Sequence, residues 1–312
     1  MELDKILTDL DIEAKSLKSD FTIANEELPK QRVDGKIISK AGKHRCTIKY
    51  ETIQNQGRYG IIQSCKRSHL EHTQLAVVKR PRSPSISLAP EAILQSVCYS
   101  CIEKYGLTGS ISKPYDLFLF ANEVRFSMEY IDGLSFKDFI ADHTEDEIIN
   151  CIIQLCYILF ILEKNLNFDH RDLRIENIWI RPLIISKNYQ IQIGSAESAE
   201  TLQFKFQVVL LDFGFACIGS SSRKSIVNLG DNVFSEIDPC PKNGRDMYQF
   251  LNSCFEIGIQ ERLSKEFVTL LKGWMKPYSV IATTLTYIVT YDPKFKLNSL
   301  NPIEILRWYF KL

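Results

Sequence analysis

The sequence predicts an α+β protein with a β-rich N-terminal part, one main helix within it, and a mostly helical C-terminal part. Three observations carry this reading. Between residues 46 and 131, short strand-like apolar runs alternate with turns and enclose one helical stretch. After Gly133 the character changes to long helical runs. Three polar clusters close hydrophobic runs, placing a lysine, two aspartates and an asparagine where an ordinary strand would not keep them.

In chain order, residues 1–44 are polar and mixed, with a helical pattern over 3–18 built on Ile6, Leu7 and Leu10. The part from Pro29 to Arg45 has little apolar content and reads as an extension or linker. From Thr47 to Lys79 the runs TIKYETI, IIQSC and QLAVVK read as strands. A Pro/Ser loop leads to the helix EAILQSVCYSCIEKYG, where Pro90 and Glu91 suit the first turn and Gly106 the stop. DLFLF and VRFSMEYI add two strands. Residues 134–165 read as two helices, and NIWIRP, YQIQI and FKFQVVLLD as short strands. The remainder from about Asp246 reads as mostly helical. This divides the chain into an extension (1–44), a β-rich lobe (45–131) and a helical lobe (132–312) carrying an insertion at about 183–207, with the seam near Ile131–Gly133.

Composition excludes some functions. Of 312 residues, 45% are hydrophobic and 24% charged, enough for a sizeable core. Lys+Arg and Asp+Glu both number 38, so no bulk charge draws the chain onto nucleic acid or an anionic membrane. The N-terminus is charged from its second residue and shows no secretory signal. The greasy run IINCIIQLCYILFIL, 148–162, carries Asn150 and Gln154 and is too short for a span, so it reads as a buried helix. Nine scattered cysteines read as reduced thiols of an intracellular protein, cytoplasmic or nuclear. Cys98 and Cys101 read as thiols on a packed helix, since no second CxxC or His pair accompanies them.

The polar clusters are HRDLRIEN (170–177), VVLLDFG (208–214) and LAVVK, ending in Lys79. A lysine closing an apolar strand needs an anionic partner. Two aspartates, an asparagine and one partnered lysine suit a metal–phosphate site, because Mg²⁺ takes oxygen ligands and is held by one or two carboxylates plus phosphates.

H-R-D-L-x-x-x-N followed by D-F-G, with V-V-K upstream, resembles the protein kinase signature set over roughly residues 46–310. The resemblance implies a bilobal kinase fold that uses ATP and Mg²⁺ on a protein substrate with Ser/Thr hydroxyls. It makes Asp172 the group that orients the substrate hydroxyl, and Asn177 and Asp212 the metal ligands. Arg174 would neutralise the transferring phosphoryl group. Lys79 would reach the α- and β-phosphates, paired with Glu91. In QNQGRYGII, Asn55, Gly57, Gly60 and Ile62 match the glycine-rich loop, with Asn55 where that loop has its first glycine and Tyr59 at the tip. FSMEYIDG resembles the hinge, with Met128 as gatekeeper and the backbones of Glu129 and Ile131 facing adenine.

Departures narrow the likeness. Asn177 and Asp212 are separated by an apparent hairpin at about 183–207, and no A-P-E triplet follows. Asp246 in GRDMYQFL would be the buried aspartate that starts the large helix. These features are similar to haspin-like kinases and to kinases of large DNA viruses. Arg171 is a candidate receptor for a phosphate on Ser220, Ser221, Ser222 or Ser225, although the missing A-P-E argues for a segment held by its own packing. The alternatives are a pseudokinase scaffold, suggested by Asn55, and a small-molecule kinase, opposed by Arg171.

Overall fold

The computed structural model describes residues 30–31, 36–38, 44–56, 60–69, 71–83, 86–120, 123–193, 199–220, 223–228, 234, 238, 240–275 and 299–312. The helix expected over 3–18 lies outside them, as do Gly57 and Tyr59. The chain is α+β, rich in sheet toward its N-terminus and in helix later. It divides into two compact units: the chain to Val97 with Ser112–Ile131, and Cys98–Ile111 with Asp132–Leu312.

The first unit is a closed sheet of β1 (Lys30–Gln31), β2 (Lys36–Ile38), β3 (His44–Gln56), β4 (Gly60–His69), β5 (His72–Pro81), β6 (Pro114–Phe120) and β7 (Glu123–Glu129). The order is β1-β2-β3-β4-β5-β7-β6, closed by a parallel β1–β6 contact. Strands β1 and β2 correct the linker reading of 29–45. They are two and three residues long, too short for an alternating pattern to reveal them. Alternation along β3–β5 turns Ile48, Cys65, Ala76 and Val78 inward against Phe118. Leu88 and Ala92 meet Phe126 and Met128 in a second cluster, backed by Ile62, Val77 and Leu117.

Helix α1 (Ala89–Glu103) follows β5, with Glu91 in its first turn. It is followed by Gly106 at φ 76°, where a residue without Cβ is favoured. Cys98 and Cys101 are buried free thiols on this helix, and burial raises both.

The second unit opens with β8 (Leu134–Ser135) and α2 (Phe136–Asp142), whose Ser135 hydroxyl accepts from the Asp138 N–H. A Thr144–Glu147 capping box starts α3 (Glu145–Leu166), and Asn167 ends it at φ 47°. The greasy run is the buried body of α3, and no described helix is long and apolar enough to cross a membrane. Its two polar residues brace the neighbouring hairpin. Asn150 donates to the Gln203 carbonyl, while Gln154 donates to the Phe206 carbonyl and accepts from the Val208 N–H.

That hairpin is β10 (Ile178–Gln192) with β11 (Ala199–Leu210), antiparallel with a bulge between Pro182 and Lys187. It contains the insertion expected at 183–207, with NIWIRP and YQIQI joined in one bulged strand. Strands β9 (Phe168–Asp169), β12 (Cys217–Ser220) and β13 (Arg223–Asn228) form a small sheet. Helices α4 (Arg245–Glu256), α5 (Lys265–Trp274) and α6 (Pro302–Phe310) complete the described part.

The reading of all nine cysteines as thiols is overturned. Cys217 and Cys240 form a disulfide across 23 residues of sequence, their Cα atoms 6.4 Å apart. The return of the chain past β12 brings them together, and Gly219 permits the approach, because a methyl there would meet the Cys240 carbonyl at 2.8 Å. Cys65, Cys98, Cys101, Cys151, Cys156 and Cys254 are buried free thiols.

Candidate active site

The loop from Asp169 to Asn177 is held by one face of α4. Asp246 accepts from the His170 N–H (2.8 Å) and the Arg171 N–H (3.0 Å). One turn later Gln249 donates to the Arg171 carbonyl and accepts from the Leu173 N–H. Ser253 accepts from the Ile175 N–H. Positions 246, 249 and 253 share a helix face, so a single rigid element supplies partners for the buried amides of an irregular loop. Burial pushes the Asp246 carboxyl well up, and the adjoining Asp169 adds to the effect.

His170 is fully buried. Its Nε2 lies 3.0 Å from the Leu211 carbonyl and its ring packs against Phe213, while burial lowers its pKa and favours the neutral imidazole. Arg171 has φ 64°, a conformation a non-glycine residue keeps only when its surroundings impose it. Here Asp246 and Gln249 grip its backbone, and Asp238 reaches its guanidinium at 3.3 Å.

Asp172 follows directly. Asn177 donates from Nδ2 to the Asp172 carbonyl (2.8 Å) and to its carboxylate (3.3 Å), which turns the amide oxygen away from that carboxylate. The Leu211 N–H donates to the Asn177 carbonyl, bringing the end of β11 alongside. Asp212 is exposed, has φ 56°, and accepts from the Gly214 N–H. Burial first, and then the charge of Asp212, push the Asp172 carboxyl up to about 7. Two neighbouring carboxylates with an asparagine oxygen nearby form a donor set of the kind that suits a hard divalent cation. Among the described residues, no three His, Cys, Asp or Glu side chains gather to hold a metal. Arg174 is exposed and lies 3.4 Å from the exposed Glu176.

In the first unit, Lys79 Nζ meets Glu91 Oε1 at 2.6 Å, both side chains buried. Gly60 makes room for this lysine, since a methyl there would sit 3.0 Å from Lys79 Cε. Ile62 pairs with Lys79 in register on the adjacent strand. Asn55 pairs with Ile62 through β3, its side chain outside the described residues. Met128 is buried and its sulfur accepts from Gln95 Nε2 at 3.6 Å. Glu129 donates its N–H to the Lys113 carbonyl, and its carbonyl accepts from the Ser112 hydroxyl. Ile131 is buried.

The structure thus brings Asp172, Asn177 and Asp212 together in one unit, and Lys79, Glu91, Gly60 and Ile62 together in the other. Sequence reasoning missed Gln249 and Ser253, although D-x-x-Q-x-x-x-S at helical spacing carried the signal. It also missed Asp169 and Asp238, which carry no motif.

Two aspartates and an asparagine gathered on an α+β frame do not by themselves single out one protein. No family model matches the chain. It is similar to the probable kinase 098L of Invertebrate iridescent virus 3, with 23% identity over 252 residues. The match covers 78% of this chain and 45% of that relative, so the chain spans less than half of the relative's length.

Proposed function

We propose that this chain is a kinase, and more finely a protein kinase that transfers the γ-phosphoryl group of ATP to Ser/Thr hydroxyls, with a β-rich and a helical lobe. The observation that carries the reading is the Asp172–Asn177 hydrogen bond beside Asp212, where neighbouring carboxylates leave a place for cationic charge. The similarity to a probable viral kinase supports kinase function generally. The residues fit Mg²⁺, which Asp212 and Asn177 would hold. When bound, the ion supplies neutralisation of phosphate charge.

The chain's own residues do the rest. Asp172 accepts a hydrogen bond from the substrate hydroxyl and fixes its line of approach. Lys79, oriented by Glu91, holds phosphate oxygens through Nζ. Arg174, exposed and loosely paired with Glu176, is available to the transferring group. Such transfer needs positioning and charge more than covalent help.

The test is incubation with Mg²⁺ and γ-labelled ATP, with and without a protein mixture, beside Asp212→Ala. Label on protein that disappears in the variant supports the reading. Nucleotide binding without transfer replaces it with a scaffold, and transfer only to a small metabolite replaces it with a small-molecule kinase.

A further inference from the structure

Two fully buried arginines converge on one carboxylate beneath the candidate active site. Asp238 receives both contacts from Arg245 Nη2, at 2.8 and 2.7 Å, and lies 3.3 Å from Arg171 Nη2. Both guanidinium groups also lie over the Phe234 ring, at 4.5 and 5.2 Å. Arg245 Nε is 3.5 Å from Asp169, which also accepts from the Arg171 and Lys242 N–H groups and adjoins Asp246. Two buried guanidiniums repel each other and lose hydration, so they need an anion fixed between them. The chain places that anion two residues before Cys240, whose disulfide to Cys217 staples the same segment to β12.

We infer that Asp238 is a positioning residue for the proposed phosphoryl transfer, a built-in anion that holds Arg171 and through it the conformation of Asp172. The inference rests on the kinase reading. Arg171 directly precedes Asp172 and sits at φ 64°, so whatever fixes its side chain limits rotation at the next peptide. A phosphate is a common partner for such an arginine pair. Here the Asp238 carboxylate occupies that position in the unmodified chain, so Arg171 meets an anion without phosphorylation.

The test compares Asp238→Asn and Asp238→Glu, each also in an Arg171→Leu background, by steady-state transfer after phosphatase treatment and by amide exchange. Asp238→Asn lowers kcat about tenfold or more while KM for ATP stays within about twofold, and Asp238→Glu restores much of the loss. The loss shrinks in the Arg171→Leu background, as it must if Asp238 acts through Arg171. Exchange at the amides of 171–173 rises in Asp238→Asn while the melting transition stays cooperative. Three results overturn the inference: Asp238→Asn with wild-type kcat, an undiminished loss in the Arg171→Leu background, or dependence of wild-type activity on a phosphate in the segment. A wild-type protein that transfers nothing sinks the kinase reading instead, and unchanged exchange at 171–173 then still overturns the positioning role.

Discussion

Lys79 and Glu91 form a buried ion pair, Nζ to Oε1 2.6 Å, with less than a tenth of either side chain exposed. Strand β5 delivers the lysine, the first turn of α1 delivers the glutamate, and Gly60 leaves room between strands.

Breaking the pair from one side removes the opposite charge next to the other. Lys79→Met and Glu91→Leu should each destabilise the fold by about 3 kcal/mol, because the buried charge that remains loses the opposite charge it met at 2.6 Å. The double variant should recover most of that, since two apolar residues of similar volume suit the site. Urea unfolding of the four proteins decides it. A double variant as unstable as the sum of the singles would mean that the two residues act independently. All three variants should lack phosphoryl transfer, which separates folding from function.

Much of this site is legible in the residues because its parts are local. Lys79 stands out as a cation ending an apolar strand, and Glu91 as the acid nearest the start of the next helix. HRDLRIEN stands out because Asp and Asn interrupt a hydrophobic stretch. The hairpin at 183–207 shows through alternation on both sides of a polar turn. What hides is made by tertiary closure. Asp238, Asp169 and the Cys217–Cys240 bond depend on where the chain returns after β13, and neither period nor motif encodes that return. Strands β1 and β2 hide because, at two and three residues, they are too short for an alternating pattern to mark them.

The disulfide should contribute about 3 kcal/mol by restricting the unfolded chain, given its loop of 23 residues. Reducing agent should lower the urea midpoint of the wild type and leave Cys217→Ser/Cys240→Ser unchanged. Thiol titration of the unfolded protein should gain two equivalents on reduction. Equal midpoints before and after reduction, with no gain of thiol, would show that the bond does not form.

Glu163, half-buried near the end of α3, has its carboxyl pushed up to about 8, first by burial and then by the charge of Asp169. Between the ordinary carboxylate value and that raised one, the folded protein binds a proton that the unfolded chain has released. Stability therefore falls as pH rises through this window, and no further loss from this group follows above it. Glu163→Gln should match the wild type near pH 4. It should be more stable above pH 8 by on the order of 1–3 kcal/mol, below the full value of the shift because the side chain is only half-buried. Denaturant midpoints of both proteins at the two ends of the window test this, and parallel pH curves would refute it.

Gln249 touches the peptide groups on both sides of Asp172, donating to the Arg171 carbonyl at 2.9 Å and accepting from the Leu173 N–H at 3.3 Å. An amide is the side chain suited to this, since one group must donate and accept at once. Gln249→Ala leaves a buried carbonyl and a buried N–H without these bonds, a loss of about 2–4 kcal/mol. Gln249→Glu keeps the shape but cannot donate when ionised, and it sets a carboxylate against the Arg171 carbonyl while Asp246 is one turn away on the same face. It should therefore be at least as damaging as alanine, although it conserves volume. If Gln249 served only to fill space, glutamate would be the milder change. The order of the two variants in urea midpoint, and in exchange at the Leu173 amide, distinguishes the two roles. Because the lost bonds flank Asp172, phosphoryl transfer should fall in the same order.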